Sequence, residues 1–183
     1  LAVDLLDLNS SLKIIDTSYV LETDYSTEEL WLNPSSLLMM AQNVRLGLKE
    51  YITSNVLTKE VDSAYNDLKI KLSELDADYR LTVENTDNKT ILVADSSLKF
   101  LEKFGLNVIC IDNNTTDKEL YEVNNLIKQK AVNYIYNFKE SKLNTVASDL
   151  IAKNPTIKEL KLNKLDVISD SDRNENKDYI DLM

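Results

Sequence analysis

From Val56 to Glu84 the apolar residues Leu57, Val61, Tyr65, Leu68, Leu72, Leu75 and Tyr79 recur every three or four positions. That spacing is one face of an α-helix, and neither Gly nor Pro interrupts it. Lys59, Glu60, Asp67, Lys69, Lys71, Glu74 and Asp76 occupy the other faces, which the pattern therefore assigns to solvent or a polar rim. At 1.5 Å per residue the predicted helix runs roughly 40 Å. It reads either as a rigid beam joining two units or as one long helix packed along a single domain.

Before it, Leu1–Leu8 has the pattern of a helix end, Leu12–Asp16 (LKIID) that of a short strand, and Ser18–Glu28 that of a polar loop. A lone strand makes no sheet. It either joins strands later in the chain or belongs to a unit mostly outside this sequence. Asn33-Pro34 then opens a helix, with Asn as cap and Pro in the first turn. Leu37, Met40, Ala41, Val44, Leu48 and Tyr51 form its apolar stripe up to about Ile52. Thr53-Ser54-Asn55 breaks that helix and caps the long one.

After a turn at Asn85–Asn88 the period alternates between strand and helix. Strands are predicted at 90–94, 107–111, 132–136 and 157–162, and helices at 97–104, 118–130 and 140–153. This order predicts an α/β unit with a parallel four-stranded sheet, right-handed crossovers and flanking helices. On the beam reading, the long helix joins this unit to what precedes it, which the resemblance described below makes a remnant of a first α/β lobe. Ser169–Lys177 (SDSDRNENK) reads as a charged loop, and Asp178–Met183 as the start of a helix.

Composition narrows the chemistry. The chain of 183 residues has no histidine, two glycines and one cysteine, and a formal charge of −10. Without imidazole there is no Ser-His or Cys-His pair, and the commonest transition-metal ligand is missing. No Gly-rich phosphate loop is present. The negative charge argues against nucleic acid as a partner. Cys110, in the apolar run NVICI, reads as a buried, inert thiol. Nothing in the sequence supports an enzyme. No apolar run approaches a membrane span, and the N-terminal residues carry no signal-peptide pattern.

In a parallel sheet, ligands meet the carboxyl ends of the strands. The oxygen donors expected there are Asp95, Asp112 and Asn163, although Asp and Asn at such positions also cap the following helices. Asp170, Asp172, Asn174 and Asp181 look superficially like a calcium loop, but Glu175 stands where the turn wants Gly, so a flexible acidic loop is expected.

Several strings together resemble the substrate-binding lipoproteins of zinc and manganese ABC transporters, the metal-binding adhesin lipoprotein family. Trp31-Leu32-Asn33-Pro34 is similar to the family's D-P-H-x-W-L-(D/N)-P segment, and Lys71–Asp76 (KLSELD) to the end of its interlobe helix. Phe104-Gly105-Leu106 before 107–111, Ile127–Asn137, and the Tyr179/Met183 spacing match further segments. The resemblance runs from about Leu12 to Met183. It implies that 1–33 is the end of a first lobe, 34–55 leads into the linker, 56–84 is the interlobe helix and 85–183 the second lobe.

The family's ligand positions are altered. Its histidine before Trp-Leu falls on Glu29, and the one after the first second-lobe strand falls on Ala94, beside Asp95. Its glutamate at the end of the third strand falls on Phe138, and its last carboxylate on Asn163. The first ligand is expected in the part of lobe one outside this chain. What the resemblance leaves as a metal set is Glu29, Asp95 and Asn163. Mn2+ or Zn2+ is implied by family, and a hard ion by ligand type. The implied function is an extracytoplasmic solute-binding protein of an ABC importer, a monomer anchored at the cell surface as a lipoprotein and served by a membrane permease. The alternative is a cell-surface scaffold or adhesin-like protein that keeps the fold without binding metal.

Overall fold

The structure is a computed structural model that describes residues 2–19, 21 and 29–183. Most of the polar loop expected at 18–28 lies outside the described residues. Helix α1 spans Ala2–Leu8 and the short α2 Glu29–Leu32. Helix α3 spans Pro34–Tyr51, opened by Asn33, whose side chain accepts from the Ser35 amide. Helix α4 runs unbroken over Asn55–Glu84, with Ser54 capping through the Leu57 amide.

The segment 12–16 is not a strand. Among the described residues the sheet has four strands, and 12–16 lies against α3 without regular structure. A Cβ built on Gly47 would stand 2.6 Å from Ile15 Cγ1, so the missing side chain in the helix makes room for Ile15. Asn43 donates to the carbonyls of Thr17 and Tyr19, both at 2.9 Å, and holds the end of this segment.

Helices α3 and α4 form an antiparallel pair. Asp62 on α4 receives Arg45 at 2.7 Å and Lys49 at 2.9 Å from α3. The last turns of α4 reach the α/β unit, where Val83 is buried and Tyr79 stacks on Phe104 with ring centroids 5.0 Å apart. One ammonium joins the parts: Lys103 donates to Asn33, Ser35 and Asp76 at 2.6, 2.9 and 3.0 Å.

The strands are β1 (Thr90–Val93), β2 (Asn107–Cys110), β3 (Tyr134–Phe138) and β4 (Lys158–Leu162). All pair in parallel, in the order β2-β1-β3-β4. A 3-10 helix at Ser96–Phe104 joins β1 to β2 and ends at Gly105, whose φ of 96° is the left-handed geometry that glycine adopts without a steric penalty. Helix α5 (Asp117–Lys128) joins β2 to β3, and α6 (Thr145–Lys153) joins β3 to β4.

Side chains alternate across the sheet, as a strand requires. Leu92 and Ile135 bury against Val123, Ile127, Ala147 and Leu150 on one face. Val93, Val108 and Phe138 bury against Leu32, Leu98, Phe100 and Phe104 on the other. Fully burying each such side chain stabilises the fold by about 1.5–3 kcal/mol.

The differences from the sequence reading that matter most are at β3, at α6 and in one loop. β3 begins two residues after Val132; that side chain is buried in the core but precedes the ladder. Helix α6 begins at Thr145, not at Glu140, because Asn144 supplies the cap. The expected loop at 169–177 contains helix α7 (Asp170–Asn174), capped by Ser169, and α8 (Tyr179–Leu182) follows, capped by Asp178. No helix of the described residues is long and apolar enough to cross a membrane.

Candidate functional site

Connections leave β1 in one direction toward β2 and return past β1 to β3, so the order of the sheet switches between β1 and β3. Such a switch opens a crevice at the carboxyl ends of the strands, the usual ligand position in this architecture. Asn144 bonds the strand ends on the β1–β2 side of it. Its Oδ1 accepts from the Ala147 amide at 2.9 Å and caps α6. Its Nδ2 donates to the Ile111 carbonyl at 2.7 Å and reaches the Ala94 carbonyl at 3.5 Å. One side chain thus ties the ends of β1 and β2 to the start of α6. The sequence reading missed it, placing residue 144 inside a helix. The signal was an Asn directly before the stripe Val146, Ala147, Leu150 and Ile151.

Asp95 caps the 3-10 helix. Its Oδ1 accepts from the Ser97 amide at 2.9 Å and from the Ser97 hydroxyl at 2.6 Å. Asn163 follows β4, and its Oδ1 accepts from the Leu165 amide at 3.0 Å. Glu29 is the first residue of α2, and its side chain lies outside the described residues. Asp112 receives the Asn114 amide at 2.8 Å and shapes its own turn. Asp172 receives the Ser169 hydroxyl and stands 3.5 Å from Lys177, which also pairs with Glu175 at 2.7 Å, so the acidic tail carries its own counter-charge.

The elements that carry Glu29, Asp95 and Asn163 do meet. Helix α2 packs on the 3-10 helix. The Trp31 indole donates to the Lys164 carbonyl at 3.0 Å, beside Asn163, and the Tyr179 hydroxyl donates to the Trp31 carbonyl at 2.6 Å. Burial pushes the Tyr179 phenol well above its ordinary range, so it remains a donor. The cavity among these elements has a volume of about 280 Å³. Leu32, Leu98, Phe138, Leu162 and Met183 line it, with Asn163 and Tyr79 as its polar residues. Among the described residues no three His, Cys, Asp or Glu side chains come together to hold a metal ion.

Residues 5–183 match the family model ZnuA, described as zinc-uptake complex component A, periplasmic. The chain belongs to the ZnuA family. Solved structures agree in fold with this ZnuA-family chain. It is similar to the metal-dependent lipoprotein YcdH of Bacillus subtilis, at 20% identity and a TM-score of 0.69, over 91% of this chain and 65% of that one. It is similar to the Zn(II)-bound ZnuA-like domain of Streptococcus pneumoniae AdcA, at 19% identity and a TM-score of 0.70, over 99% of this chain and 70% of that one. It is also similar to the laminin-binding protein Lbp of Streptococcus pyogenes, at 18% identity and a TM-score of 0.66, over 85% and 62%. The chain therefore spans a little under two thirds of the length of YcdH. No curated protein sequence matches it.

Tetrahedral zinc is held by imidazole, thiolate and carboxylate. This sequence has no histidine, Cys110 lies on β2, and the core side chain Phe138 is 1% exposed. The residues present do not fit a nitrogen-rich zinc site.

Proposed function

We propose that the chain belongs to an extracytoplasmic solute-binding protein of a metal-type ABC importer whose cleft has lost the zinc-selective set. Family membership across residues 5–183 is the observation that carries this reading. In it, 1–33 ends a first lobe, 34–55 leads into the linker, 56–84 links the lobes and 85–183 is the second lobe. The protein is a monomeric, membrane-anchored lipoprotein that delivers to a membrane permease. Helix α4 has no Gly or Pro to act as a hinge, so lobe closure is limited to small tilts; unliganded and liganded crystal structures differing by a wide hinge rotation would contradict this.

Glu29, Asp95 and Asn163 form an oxygen-only remnant that suits Mn2+, Ca2+ or Mg2+ over Zn2+. Elemental analysis and calorimetry of the purified protein with Mn2+ and Zn2+ test it. The expected result is Mn2+ binding with a Kd of roughly 0.1–1 mM, the range of weak extracellular hard-ion modules, and its loss in Glu29→Ala. Stoichiometric, tight zinc would refute the degenerate site.

One observation favours the second reading, a surface scaffold or adhesin-like protein. The Oδ1 atoms of Asp95 and Asn163 already accept backbone amides. Calorimetry with no heat for either ion would select it.

A further inference from the structure

The two edges of the sheet are built differently. β4 carries Lys158 and Lys161, the kind of charge that discourages pairing with another chain. β2 reads NVIC and has no such guard. The Asn107 amide donates to the Lys89 carbonyl at 2.7 Å and the Ile111 amide to the Val93 carbonyl at 2.8 Å, both toward β1. The two-residue period then turns the N–H and C=O of Val108 and Cys110 outward. Among the described residues nothing pairs with them.

These groups line a groove of about 500 Å³ and not a flat rim. Lys99 of the 3-10 helix stands on one bank, Glu119 and Glu122 of α5 on the other, and Asp112 at the end of the strand. Acidic groups outnumber basic ones, and they gather on the α5 side. We propose that this groove takes an extended basic peptide from a partner protein, added as a strand beside β2.

Backbone pairing supplies the attachment, because Val108 and Cys110 each offer one donor and one acceptor. The alternating side chains of the peptide supply selectivity. Those on the α5 side meet Glu119 and Glu122 and are lysine or arginine. Those on the opposite side meet Lys99 and are neutral. Charge disfavours a second copy of this chain as the occupant: edge-to-edge pairing would bring two sets of Glu119 and Glu122 together on chains of formal charge −10.

The test uses the full chain and two synthetic peptides of equal length, one alternating lysine with valine, the other glutamate with valine. Amide hydrogen exchange and NMR shifts are read at Val108 and Cys110. The lysine peptide is expected to slow exchange at both amides, and the glutamate peptide at neither. Glu119 takes part in the cap of α5, so the variant is Glu122→Lys, at an exposed position. It is expected to weaken the lysine peptide about three- to tenfold, while exchange at the buried Leu92 stays as in the parent. Equal binding of both peptides, binding that leaves Val108 and Cys110 unprotected, or no binding would overturn the proposal. So would a dimer in sedimentation that protects the same two amides.

Discussion

Replacing Asn144 separates two jobs that one side chain performs. In Asn144→Ala the cap of α6 is lost, which costs about 1 kcal/mol. The Ile111 carbonyl also loses its donor, and Ile111 is 0% exposed. A stranded buried acceptor adds about 1–3 kcal/mol. The contact to Ala94 at 3.5 Å is long and adds little. The sum is about 2–4 kcal/mol, a sizeable part of the roughly 5–15 kcal/mol that holds a typical domain. Urea unfolding reads it: with a slope of about 2 kcal/mol/M the midpoint falls by about 1–2 M. Asn144→Asp keeps the capping oxygen and removes the donor, so it isolates the second part and should cost about 1–3 kcal/mol. If Asn144→Asp matches the parent while Asn144→Ala loses only about 1 kcal/mol, Asn144 is a cap and nothing more. The claim that it ties the strand ends together is then wrong.

Gly47→Ala gains about 1 kcal/mol of helix propensity but displaces Ile15. Added to Ile15→Ala it should therefore stabilise by about 1 kcal/mol, and alone by less, as urea midpoints would record. Burial works against the Asp76 carboxylate, but hydrogen bonds from Lys103 and Arg80 outweigh it and hold its pKa below the ordinary value. Its contribution is present above about pH 4, the unfolded value, and is lost as pH falls through the lower folded one. Asp76→Asn should flatten that part of the acid limb of a stability–pH curve. Burial, with Asp112 and Asp95 nearby, pushes the Cys110 thiol up to about 11. Iodoacetamide should label it slowly at neutral pH and faster with each step toward that value, and fast labelling at pH 7 would contradict the burial.

Much of the fold was legible because its elements obey simple periods. The α4 stripe, the Asn33-Pro34 start and the strands β1, β2 and β4 stand within a residue of where the sequence put them, and β3 follows two residues late. The misreadings share a cause: apolarity reports burial, and burial takes several forms. Ile15 is half-buried on a helix with a glycine beneath it, so LKIID looks like a strand without joining a ladder. Val132 is in the core yet outside β3. The polar stretch from Ser169 has no apolar stripe, and its helix rests on the Ser169 cap and the Lys177 ion pairs. At the site, the oxygen donors Asp95 and Asn163 were legible as residue types. The Asn144 tie was not, because it depends on two carbonyl ends that only the sheet order brings together.

Helix α4 has one more consequence. Thirty residues in a single unbroken run span about 45 Å. A swing of about 5° at the Val83 end therefore carries the Asn55 end through about 4 Å. Whatever nudges the α/β unit is geared up at the far tip, where a shift too small to notice at its source becomes the width of a side chain.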